Sequence, residues 1–90
     1  KYLIIGHVNF RDNATGERQL SIRLNGSTII ARMTTSSNGT ASDEYAVTAT
    51  YYSLAATDYV ELIAWQDSGG ALFVDVNQNA SIEFMMVKVP

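Results

Sequence analysis

Ninety residues with 47% hydrophobic content make one domain with a modest core, and the apolar residues run through the whole length, so the chain is not disordered. A net charge of −3 offers nothing to a phosphate backbone, and the absence of cysteine removes any disulfide or thiolate–metal framework. No apolar run approaches the ~20 residues needed to cross a membrane as a helix.

The first strand is expected over Lys1–Phe10, where Tyr2, Ile4, Gly6, Val8 and Phe10 alternate with Leu3, Ile5, His7 and Asn9. A loop over Arg11–Gly16 precedes a second strand, Glu17–Leu24. Its Leu20, Ile22 and Leu24 oppose Gln19, Ser21 and Arg23, a split that marks one solvated face. Asn25-Gly26 then signals a type I′ hairpin, because both central residues need positive φ. The third strand is expected over Ser27–Met33, followed by a small, polar, mobile loop, Thr34–Asp43. The fourth, Glu44–Tyr52, sets Tyr45, Val47, Ala49 and Tyr51 against Ala46, Thr48, Thr50 and Tyr52. The larger set is expected to face the core.

Leu54 in the connector Ser53–Thr57 is expected to plug the core. Asp58–Gln66 forms the fifth strand and Asp67–Gly70 a turn; Ala71–Val76 forms the sixth strand and Ala80–Val89 the last. Seven antiparallel strands without a helix predict an all-β sandwich.

Three of these strands, the first, fifth and last, are apolar on both faces. A sheet facing water on one side needs one apolar face only. A domain this small cannot bury the second face itself, so a further subunit is expected to cover it.

Three stretches carry a resemblance: Lys1-Tyr2-Leu3-Ile4-Ile5-Gly6-His7-Val8, Gly16 through Gly26, and Leu54 through Leu62. They resemble the jelly-roll superfamily shared by tumour necrosis factor and complement-type globular heads, and more closely its phage tail fibre and spike versions. Thr57 stands where that family usually has glycine before the aspartate. The resemblance implies an antiparallel jelly-roll β-sandwich over residues 1–90, with one or two further strands upstream of Lys1. It also implies a homotrimer whose first, fifth and last strands share the sheet around the threefold axis. Leu3, Ile5, His7, Tyr59, Ile63, Trp65, Met85 and Val87 would line that axis.

The implied role is a non-enzymatic head domain of a phage fibre or spike, in the virion or outside the cell. It would trimerise the fibre and contact a host glycan or protein. Tyr52, Phe73, Asn13, Asn38 and Asp67 are the expected ligand-facing residues, with Tyr52 and Phe73 on the side of their strands away from the core. Two other readings share the fold: a monomeric carbohydrate-binding module with Tyr52 and Phe73 as its platform, and an extracellular ligand of the tumour necrosis factor type.

Catalysis is not expected. His7 is the single histidine and has no cysteine beside it for a zinc site or a triad. The acids are scattered without paired spacing, and no EF-type loop occurs. No cofactor, nucleic acid or membrane insertion is expected. Four Asn-X-Ser/Thr triplets begin at Asn13, Asn25, Asn38 and Asn79. Each falls where a turn is expected, and they are read as turns.

Overall fold

The computed structural model describes residues 1–11, 13–37, 39, 44–72, 74 and 82–90. Alternation decides the strands. In β1 (Tyr2–Phe10), Ile4, Gly6, Val8 and Phe10 are buried on one face. In β2 (Glu17–Leu24), Leu20 and Ile22 are buried on one face. The others are β3 (Thr28–Ser36), β4 (Glu44–Tyr52), β5 (Val60–Gln66) and β6 (Glu83–Lys88). They form two antiparallel sheets, ordered β4-β1-β6 and β3-β2-β5, with no helix among the described residues. The all-β class and the two-sheet arrangement agree with the sequence.

The sheets meet over Val8, Phe10, Leu20 and Ala46, with Met33, Leu62, Leu72 and Val74 packed around them. Gly6 sits under Leu62, and a Cβ there would overlap Leu62 Cδ1. The inner faces are thereby fixed: even-numbered residues of β1, β2, β4 and β5 point inward, and their cross-strand partners share that face.

The Asn-Gly hairpin forms as expected. Asn25 and Gly26 have φ of 55° and 73°, and Ser27 N donates to Leu24 O at 3.1 Å. The third strand runs further than expected, since Thr34, Thr35 and Ser36 pair with Gln19, Arg18 and Glu17 rather than opening the loop. Threonine suits a pleated strand, and β2 supplies the partner carbonyls and amides. Residues 38 and 40–43 of that expected loop lie outside the described residues. Leu54 is half-buried. In the expected sixth strand, Ala71 and Leu72 are not strand, and Val74 makes an isolated bridge to Phe10.

Two expectations are corrected. The first, fifth and last strands do not share a sheet: β1 and β6 pair with each other, while β5 pairs with β2 in the opposite sheet. The larger face of β4 also points outward. Ala46 and Thr48 are buried, whereas Tyr45, Val47 and Tyr51 are exposed. Phe10, Leu20 and Met33 already fill the interior beside β4, and small side chains there let the sheets close.

One buried group has no counterpart in the sequence reading. Arg18 shares the inner face of Leu20 and Ile22 and is 0% exposed. Its guanidinium donates through Nη1 to the carbonyls of Thr15 (2.6 Å) and Gly16 (2.9 Å), and through Nη2 to that of Asn13 (2.8 Å). It fixes the loop that leads into β2.

Candidate interaction faces

The outer face of β4-β1-β6 follows from the register. Leu3 lies between Tyr51 and Val87, Ile5 between Ala49 and Met85, and His7 between Val47 and Glu83. Leu3, Tyr45, Val47, Tyr51, Met85 and Val87 are all exposed, Val47 to 57%. Ile5 and His7 are half-buried. Together they form one apolar surface across three strands, of the kind that marks an interaction site. The polar exceptions have partners. His7 Nε2 and Glu83 Oε1 pair at 2.9 Å in its midst, and Lys1 Nζ stands 4.9 Å from the Tyr51 ring centroid at one end. β6 is exposed along its length, with Phe84 and Met86 open on the inner side as well as Met85 and Val87 on the outer.

The outer face of β3-β2-β5 is of different character. Trp65 lies beside Gln19, and Gln19 beside Thr34; Ile63 lies beside Ser21, and Ser21 beside Arg32. Arg32 Nε donates to Ser21 Oγ at 3.0 Å, drawing the guanidinium across β2 and covering Ser21. Arg23 and Glu61 pair at 3.1 Å on the next row. Trp65 is 45% exposed and Tyr59 54%.

The expected threefold set therefore divides. Leu3, Ile5, His7, Met85 and Val87 occupy one outer face, and Tyr59, Ile63 and Trp65 belong to the opposite sheet. The residues that complete the first face, Tyr45, Val47 and Tyr51, lie on the side of β4 expected to face the core. Their signal is in the pattern, because from Tyr45 to Tyr52 both faces of β4 lack charge.

The expected ligand-facing residues are not gathered. Tyr52 shares the inward parity of Ala46 and Thr48, opposite Tyr2, and is half-buried, so it is not a platform directed away from the core. Phe73 and Asn38 lie outside the described residues. Asn13 Oδ1 accepts from Thr15 N at 2.9 Å, an Asx turn. Asp67 Oδ1 accepts from Glu17 N, and Asp67 N donates to Glu17 O, which clamps the end of β5 to the start of β2. A side chain at Gly16 would run into Asp67.

Asn25 is equally committed. Its Nδ2 donates to Asp58 Oδ1 (2.9 Å), and its Oδ1 accepts from Tyr59 N (3.0 Å). Asp58 Oδ2 accepts from Ala55 N at 2.8 Å. The Asn25 side-chain bond, then the Ala55 backbone bond, hold the Asp58 carboxyl below its ordinary value. Among the described residues, no three of His, Asp and Glu gather at metal-ligand distances. Comparison with protein-family models, with curated proteins and with solved structures finds no match to this chain.

Proposed function

We propose that this chain is a non-enzymatic, jelly-roll-type head domain that trimerises through the outer face of β4-β1-β6 and serves at the tip of a phage tail fibre or spike. One observation carries the reading: the uncharged surface formed by Leu3, Ile5, Tyr45, Val47, Tyr51, Met85 and Val87. Charge-depleted cores rich in aromatics and methionine distinguish the interfaces of stable oligomers. Closed cyclic symmetry repeats one such patch without leaving it open. His7 and Glu83 are hydrogen-bonded to each other at 2.9 Å, so covering the pair costs less than covering either group without its partner. The fibre-tip role rests on the sequence resemblance, and the host-facing contact belongs to surfaces left free by assembly.

The test is molar mass in solution by light scattering. The expected value is three times 9.9 kDa, falling to 9.9 kDa in the Val47→Glu and Met85→Glu variants with the β spectrum intact. A folded wild-type monomer overturns the reading.

A further inference from the structure

We propose that the outer face of β3-β2-β5 binds a carboxylate-bearing sugar, with Trp65 stacked on the pyranose ring and Arg32 paired with the carboxylate.

Charge complementarity carries the choice of ligand. Arg32 is exposed, and among the described residues it has no carboxylate partner in a chain of net charge −3. Of the acids on this face, Glu61 is paired with Arg23, and Glu17 stands at the far end of β2, two rows from Ser21. Ser21 holds Arg32 by Nε, and among the described residues the two terminal nitrogens, the fork that suits a carboxylate, have no hydrogen-bond partner. A guanidinium fixed by its neck and open at its fork is ready for an external anion, with little rotamer freedom left to lose.

The remaining groups select a sugar over a bare anion. Trp65, on β5, the edge strand of this sheet among the described residues, is exposed and offers an indole for the C–H face of a ring. Gln19 and Thr34 continue its row with an amide and a hydroxyl, donors and acceptors for ring hydroxyls. Strands lie about 4.8 Å apart, and successive same-face rows about 6.8 Å. The guanidinium anchored over Ser21 on β2 thus stands one strand and one row from Trp65. A pyranose ring and its own or its neighbour's carboxylate bridge that span. One cation beside one aromatic plane suits a single-carboxylate ring, whereas a polyphosphate or nucleic acid would call for a run of cations.

This site is on the sheet opposite the proposed assembly face, and it stands or falls independently of that reading. Trp65 is the only tryptophan, so intrinsic fluorescence reports on the site directly. The probe is tetragalacturonate, titrated into the whole chain beside its fully methyl-esterified form, which keeps the rings and removes the charge. The expected result is a saturable change in Trp65 emission with tetragalacturonate and at least tenfold weaker binding of the ester. Calorimetry should show Arg32→Gln reducing tetragalacturonate to the level of the ester, and Trp65→Ala abolishing both. No emission change at millimolar tetragalacturonate, equal binding of the ester, or undiminished binding by Arg32→Gln overturns the proposal. The same titration on the Met85→Glu variant keeps the two readings apart: the sugar site predicts unchanged binding whatever the molar mass.

Discussion

Leu62 of β5 fills the space that a side chain at Gly6 of β1 would occupy, so at this point one side chain spans the gap between the two sheets. Gly6→Ala should destabilise the fold by about 1–3 kcal/mol through overpacking. Because the overlap is with the tip of a flexible side chain, Leu62→Val should recover part of that loss. A double-mutant cycle in urea measures the coupling; additive effects would contradict the contact.

Arg18 holds three backbone carbonyls from inside the sandwich. Arg18→Met keeps the apolar stem and leaves those carbonyls without their donor. The expected loss is about 3 kcal/mol, with faster amide exchange confined first to residues 13–16. Hydrogen exchange by NMR checks it, and a loop whose protection is unchanged would refute the anchor.

The Asn25–Asp58 network ties the β2–β3 turn to the connector before β5. Asp58 titrates below its unfolded value in the folded chain, so its contribution is fully present above the unfolded value, near pH 4, and is lost as pH falls through the lower folded one. Asn25→Ala removes the largest cause of the shift. The variant should lose stability at pH 7 and show a smaller further drop between pH 5 and pH 2 than the wild type. Urea midpoints across that range decide it; parallel curves would exclude the linkage.

Tyr51 and Tyr52 are adjacent, yet they face opposite ways. Tyr51→Ser should leave monomer stability within about 0.5 kcal/mol and weaken self-association, since an exposed side chain has few contacts to lose. Tyr52→Ser should lower the unfolding midpoint. Trp65→Ala should cost about 1 kcal/mol, well short of a fully buried indole, because nearly half of it already meets water. Thermal melts paired with light scattering separate these cases.

Strand positions were largely legible because alternation and the Asn25-Gly26 turn are local signals. Sheet membership was not. Nothing in the residues of β5 says whether they pair with β2 or β1, since both neighbours offer matching apolar faces. The facing of β4 misled for a physical reason: side-chain size predicts burial only where the interior has room, and Phe10 with Met33 had taken it. Arg18 was invisible because a buried cation held at its terminal nitrogens by loop carbonyls leaves no partner residue type to find in the sequence.

The grip of Arg18 on residues 13–16 is entirely on main-chain oxygens. Ala14 and Thr15 are exposed; Thr15 contributes only its main-chain oxygen to the hold, and Ala14 contributes no atom to it. The shape of this loop is therefore uncoupled from the identity of those two positions. Their side chains can be exchanged for others while the frame that presents them stays in place, which makes the start of β2 a natural point for diversifying the surface by selection or by design.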